Sequence, residues 1–252
     1  MTLLLRKDVE TRWAASDGPV SVETSGASAT AVCGSVSAEA RVEGGMAVLA
    51  EKDAVKLMPS PGRYEIAWEC GVESFSTHVE RVGARYCSPS DVVSYGRKNN
   101  DGFEDEARYP AADIAAAIQA AEETIEDCTG RSFCERGIRV RLSPGLNELP
   151  VQDAREIDFG ELVSDRQAVS ESRGPANVKY GATPDARIRE AAVRLAASAL
   201  RPRLGAENAR GQSVDGVYTS YTLATGAEGA WTGIPYVDAV IEGRRSRRAV
   251  IA

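Results

Sequence analysis

Along residues 62–82 apolar and polar side chains alternate almost one for one. In GRYEIAWECG, Tyr64, Ile66, Trp68 and Cys70 share one face and Glu65, Ala67 and Glu69 the other. In ESFSTHVERV, Phe75, Thr77 and Val79 oppose Ser76, His78 and Glu80. A period of two is that of a half-buried strand, and the glycine-containing link at residues 70–73 joins the two runs into a predicted hairpin. Upstream, VSVET, ATAVCGSVSA and RVEGGMAVLA are short, glycine-punctuated runs with β-branched residues. Several short antiparallel strands, with Trp68 available for a core, predict a small β-sandwich over residues 1–86.

The period then changes. CSPSDVVSYG offers Ser88 as N-cap, Pro89 at the first helical position and Asp91 at N3, the pattern of a capping box. The polar, turn-rich RKNNDGFEDEARYP reads as a loop. From Pro110, Ile114, Ile118, Ala121 and Ile125 recur at spacings of four, three and four, which predicts a helix with one apolar stripe ending at Gly130. RSFCERGIRVRLSPG and NELPVQDAREIDFGELVSD hold a few alternating stretches and predict a strand-rich insertion, while SESRGPANVKYGA reads as a loop. A second long helix is expected from TPDARIREAAVRLAASALRPR. Thr183 would be its N-cap, Pro184 its first residue, and Ile188, Ala192, Leu195 and Ala199 its stripe, with Pro202 as the stop. GVYTSYTLATG reads as one strand or extended arm. IPYVDAVIEG reads as a last short helix, with Val237, Val240 and Ile241 on its apolar side. The expected fold class is α+β: a β-sandwich over 1–86, then a mainly helical domain with β insertions over 87–252.

Composition narrows the function classes. A chain of 252 residues that is 43% hydrophobic can bury a substantial core. A formal net charge of -7 argues against a general nucleic-acid coat, which needs a basic surface. The start MTLLLRKDVE has three leucines before Arg6 and no apolar run approaches membrane-spanning length, so the expectation is an intracellular protein with no membrane partner. Five scattered cysteines form no C-x-x-C; the simplest reading is buried or half-buried thiols, and a Cys33 to Cys70 bridge across the sandwich is the alternative.

Catalytic patterns are sparse. The one histidine, His78, falls on the polar face of its strand and reads as a surface residue. A single histidine excludes H-E-x-x-H and multi-histidine metal sites, and neither G-x-S-x-G nor a phosphate-binding glycine loop occurs. The carboxylates Glu122, Glu123, Glu126 and Asp127 crowd one helix end and read as its wet face. No cofactor, metal or catalytic residue is expected.

Charge is distributed unevenly. Residues 100–127 hold nine acids against Arg108, a net of -8, whereas residues 241–252 hold Arg244, Arg245, Arg247 and Arg248 against Glu242, a net of +3. Three readings of the basic end stand: a solvated tail, one half of a head-to-tail interface with a complementary acidic patch, or a tip touching DNA phosphates.

The same segments carry a family pattern. In E-x-x-x-E-x-x-x-G-x-x-F the chain places Glu122, Glu126, Gly130 and Phe133; a proline-initiated Arg/Ala-rich helix follows at 184–200; and T-G-x-P-x-V-D with a basic end is matched by Thr232, Gly233, Pro235, Val237 and Asp238. As an ordered set over residues 88–252 this resembles the head-tail connector, or head-completion adaptor, proteins of long-tailed bacteriophages. The first 86 residues look like the immunoglobulin-like modules grafted onto phage structural proteins. The resemblance implies a non-enzymatic virion neck component, present in the host cytoplasm before assembly. It would form a ring of about twelve copies under the portal protein, let packaged DNA pass without sequence-specific binding, and present a surface to a further neck or tail-completion protein. Its implied assembly contacts are Glu122, Glu126, Tyr218, Tyr221, Ile234, Pro235, Val237, Val240, Ile241, Arg244, Arg245, Arg247 and Arg248. The alternative is a non-enzymatic binding module acting through the N-terminal β domain.

Overall fold

The computed structural model describes residues 2–7, 9–201, 211–214, 217–220 and 231–245, the two four-residue segments by their backbone. The chain forms two compact units, each made of two stretches: residues 1–86 with 131–184, and residues 87–130 with 185–252. The first crossing falls after Tyr86. The strand-rich stretch 131–184, read from sequence as an insertion in the helical half, groups with the N-terminal strands.

The first unit holds β1 (Leu3–Leu4), β2 (Thr11–Trp13), β3 (Val20–Glu23), β4 (Ala29–Cys33), β5 (Val36–Glu43), β6 (Met46–Leu49), a short helix α1 (Glu51–Leu57), β7 (Gly62–Cys70) and β8 (Glu73–Arg81). These strands join in one eight-stranded sheet, in the order β1-β3-β6-β5-β4-β7-β8-β2, instead of the two facing sheets of the expected immunoglobulin-like sandwich. The edges explain the difference. β1 and β2 lie at opposite ends of the sheet yet only seven Cα steps apart in sequence, a reach of at most about 25 Å. Seven strand spacings laid flat would need about 34 Å. The sheet therefore curls into a nearly closed barrel.

The β7–β8 hairpin is as predicted, in register from Gly62 opposite Arg81 to Cys70 opposite Glu73. Ile66, Trp68, Cys70, Thr77 and Val79 are buried and His78 is exposed. Trp68 Nε1 donates to Thr77 Oγ1 at 2.9 Å, which lets an indole fill the core without an orphaned donor. Glu80 departs from its assigned polar face: it is buried between Arg12 and Arg136. All five cysteines are free thiols. In the β4–β7 ladder Thr30 faces Glu69 and Val32 faces Ala67, so Cys33 and Cys70 lie beyond opposite ends of the paired segment, too far apart for a disulfide.

Residues 131–184 add β9 (Arg136–Leu142), β10 (Gly145–Glu148), β11 (Ala154–Ile157), β12 (Glu161–Ser164), β13 (Gln167–Ser170) and β14 (Gly174–Tyr180), in two three-stranded sheets ordered β10-β13-β12 and β11-β14-β9. Leu142, Leu149, Ala168, Ala176 and Val178 form their shared core. β14 corrects the loop expected over 170–182: it is the central strand of its sheet, with Ala176 and Val178 inward and Asn177 outward. Its proline is tolerated because β11 pairs only with Val178–Tyr180, leaving Pro175 with one strand neighbour.

The second unit holds α2 (Pro89–Lys98), α3 (Ala111–Thr129), α4 (Ala186–Leu200), the hairpin β15 (Gly211–Val214) and β16 (Val217–Ser220), and α5 (Pro235–Arg244). The capping box of α2 is present: Ser88 N donates to Asp91 Oδ2 at 2.9 Å and Asp91 N to Ser88 Oγ at 3.2 Å. α3 runs to Gly130, which takes the left-handed conformation at φ 69. α4 starts later than expected. Asp185, not Thr183, is its N-cap, because one carboxylate oxygen accepts from both Arg187 N and Ile188 N. The segment read as one arm at 216–226 contains β16, and its partner β15 precedes it; residues 216 and 221–226 lie outside the described residues.

Candidate assembly surface

The helical unit is built on small side chains. Ile114, Ile118, Ala121 and Ile125 of α3 are buried as the stripe predicts. On α4 the buried set is Ile188, Ala191, Ala192, Val193, Ala196 and Ala197, while Leu195 is half-buried and Ala199 exposed. The expected stripe is displaced because α4 packs against α2, α3 and α5, so more than one side is covered. Alanines at these contacts let helix axes approach closely.

α5 and the four residues before it form a closed local motif. Thr232 donates from both its backbone N and its Oγ1 to Asp238 Oδ1, each at 2.8 Å, and Ile234 N donates to Thr232 Oγ1 at 3.2 Å. Gly233 sits between them at φ 75, a conformation that side chains resist. Pro235 occupies the first helical position, where no donor is lost. Val237, Val240 and Ile241 are buried, contributing roughly 1.5–3 kcal/mol each to anchoring the helix. Ile234 is half-buried and Pro235 exposed.

The described part of the basic end, Arg244 and Arg245, is engaged within the unit. Arg244 pairs with Asp185, tying the last turn of α5 to the cap of α4. The Arg245 guanidinium lies 4.5 Å above the Trp231 ring. Tyr221, Arg247 and Arg248 lie outside the described residues, and Tyr218 is described by its backbone in β16. Glu122 is wholly buried in α3, whereas Glu126 is half-buried one turn on.

The acidic stretch leaves a negative surface on this unit. Arg201 holds Asp101 through two bonds of 3.0 and 2.9 Å, but Glu104, Asp105, Glu106, Glu123 and Asp127 are exposed. α3 has no basic residue in its last turn, so Glu126 and Asp127 meet the negative end of the helix dipole. Burial first, then Asp127 and Asp238, push the Cys128 thiol above its ordinary range, and Arg245 partly offsets them. The loop at 99–110 is pinned by Phe103, buried beneath Gly96 and edge-on to Tyr109 at 5.0 Å.

One cluster is only partly legible in the sequence. Tyr236 donates to Glu190 Oε2 at 2.8 Å, Arg194 donates to Glu190 Oε1 at 2.6 Å, and the Arg194 guanidinium lies 4.2 Å over the Tyr236 ring. The Tyr236 bond, then Arg194, hold the Glu190 carboxyl below its ordinary range. The Glu190–Arg194 spacing of four was visible in the sequence; its tyrosine partner is 46 residues away.

In the first unit a groove of about 740 Å³ runs between residues 60–64 and the outer face of β9, β14 and β11. Much of its polar lining is paired: Tyr64 OH donates to Ser60 O, Lys179 to Glu156 and Asn177 to Asp158, while Glu80 joins Arg12 and Arg136. It contains no histidine or cysteine to serve as base or nucleophile. Among the described residues no cluster of histidine, cysteine, aspartate and glutamate could hold a metal ion, and no helix is long and apolar enough to cross a membrane.

No protein-family model and no curated protein matches the chain. Among solved structures it is similar to a chain of the "Neck of empty GTA particle computed with C6 symmetry", with 17% identity, 64% of this chain and 91% of that chain covered, and a TM-score of 0.39. A likeness that loose assigns no family.

Proposed function

We propose that the protein is a structural adaptor of a phage neck, a non-enzymatic ring component docked under the portal that joins head to tail and extends the DNA channel. The observation that carries this reading is the meeting of its sequence segments. The end of α3, the Arg/Ala-rich α4 and the T-G-x-P-x-V-D turn with α5 are far apart in the chain, yet the three helices pack on one another in one unit. Within that unit Thr232, Gly233, Pro235, Val237 and Asp238 each have a distinct structural duty, which supports reading the string as one inherited motif.

In this reading the exposed acidic surface near residues 104–106 and the end of α3 meets a basic neighbour. Arg244, Arg245, Arg247 and Arg248 are the residues assigned to reach it; Arg244 and Arg245 also have partners within the protomer. Portal, a further neck or tail-completion protein, and copies of itself are the partners; DNA passes without sequence readout. The test is quantitative mass spectrometry of purified DNA-filled particles, calibrated against the portal protein. A fixed ratio near one, or another small-ring value, is expected; absence from intact particles would overturn the reading.

A further inference from the structure

In the sheet ordered β11-β14-β9, β9 borders β14 on one side and no strand on the other. Its beginning is covered: Gly83 N donates to Glu135 O, and a Cβ on Gly137 would lie 2.1 Å from Pro61 O. Beyond its end Asn147 folds back, accepting from Ser143 N and donating to Ser143 O, both at 2.8 Å. Between these points residues 138–142 pair with β14 without a bulge, so alternate residues turn N–H and C=O away from β14, and among the described residues those groups have no partner. Five residues make about 17 Å of open edge, the length of an ordinary strand.

The side chains along this edge alternate. Ile138 and Val140 are half-buried against the core and Leu142 is buried, whereas Arg139 and Arg141 are exposed on the other face. Neither arginine makes an ion pair or a hydrogen bond among the described residues. The acids on that side of the sheet, Glu156 and Asp158, are held by Lys179 and Asn177. The edge thus presents two cations, two residues and about 7 Å apart, beside open backbone groups.

Charge selects the occupant. A second β9 laid antiparallel would oppose arginine to arginine, a repulsive pairing. Of the other edge strands in the first unit, β1, β2, β10, β11 and β12, none carries acids two residues apart. A strand that does carry them fits: its carboxylates fall opposite Arg139 and Arg141, and the apolar residues between cover what remains exposed of Ile138 and Val140. We infer, independently of the neck reading, that residues 138–142 of β9 take up by strand addition an extended segment of another protein in which acidic and apolar residues alternate.

The probes are two fluorescently labelled peptides, acetyl-TVEVEVT-amide and acetyl-TVKVKVT-amide, titrated into the full-length protein and followed by anisotropy. The acidic peptide should bind roughly tenfold or more tightly than the basic one. Hydrogen exchange at 138–142 should slow on its binding, at alternate amides, in the unsubstituted protein. In Arg139→Glu/Arg141→Glu, changed only at exposed positions, the preference should invert, so that binding of the basic peptide also shows the variant to be folded. Binding of neither peptide would mean that the arginines only keep other strands away, and would overturn the inference. Equal binding of both peptides, or protection confined to residues outside 138–142, would overturn it too. A short DNA duplex that binds and is lost on the arginine reversal, with no binding of the acidic peptide, would assign the arginines to phosphate and overturn strand addition.

Discussion

Replacing Asp238 by alanine tests whether the turn before α5 is held by the contacts described. The substitution removes both bonds from Thr232, each 2.8 Å to an ionised oxygen at a helix N-terminus. Hydrogen bonds to charged groups contribute about 1.5–3 kcal/mol each, but the site is only partly buried and water replaces much of the loss, so about 2 kcal/mol in total is expected. At 1.4 kcal/mol per tenfold that is about a 30-fold rise in local opening. Hydrogen exchange of the Thr232 amide in the full-length protein reads it directly, because that N–H loses its acceptor while the helix amides keep theirs. Asp238→Asn retains an acceptor oxygen and should cost about half as much, raising exchange about 5-fold. Buried Val237 and Ile241 keep α5 docked in both variants. A change below about 3-fold in Asp238→Ala would refute the cap as the element that holds the turn.

Glu80→Ala should destabilise the first unit by about 1.5–3 kcal/mol, because it removes the buried carboxylate that Arg12 and Arg136 both bond. Arg63→Ala, at an exposed pair with Glu10, should cost under about 1 kcal/mol. Denaturation followed by the near-ultraviolet signal of buried Trp13 and Trp68 ranks the two, and equal costs would contradict the burial argument. Cys128 supplies a sign test: Asp238→Asn removes a neighbouring negative charge, lowers the thiol pKa and speeds alkylation at fixed mildly alkaline pH, whereas Arg245→Gln raises the pKa and slows it. Slowing in both variants would show that Asp238 does not act through its charge. Gly96→Ala places a Cβ 2.3 Å from the Phe103 ring and should cost about 1–3 kcal/mol by overpacking, measured by urea denaturation followed at 222 nm. A stabilised variant would show that Phe103 moves freely.

Legibility followed the range of the contacts. The β7–β8 hairpin, the Ser88 capping box and the stripe of α3 could be read because their partners lie within a few residues or one turn. The candidate motif at 232–241 was legible as residue types, but the Thr232–Asp238 closure needed the turn to fold the chain back over six residues. The N-cap of α4 was misplaced by two residues because both Thr183 and Asp185 qualify locally, and the pairing of Asp185 with Arg244 from α5 adds a contact invisible in the local pattern.

Sequence by itself determined which face of α3 and of the β7–β8 hairpin is apolar, because side-chain sidedness is set by the 2.0 and 3.6 residue periods of the backbone. It did not determine which elements pair. Glu80 alternates like a surface residue and is buried because Arg12, 68 residues away, and Arg136, 56 away, converge on it. Pro175 and Gly174 mark a loop in one dimension, yet β9 and β11 recruit their stretch as a central strand. The curling of the eight strands into one sheet follows from β1 and β2 taking opposite edges. Each of these outcomes depends on partners distant in the chain, and a local pattern encodes that a face must be covered without encoding by what.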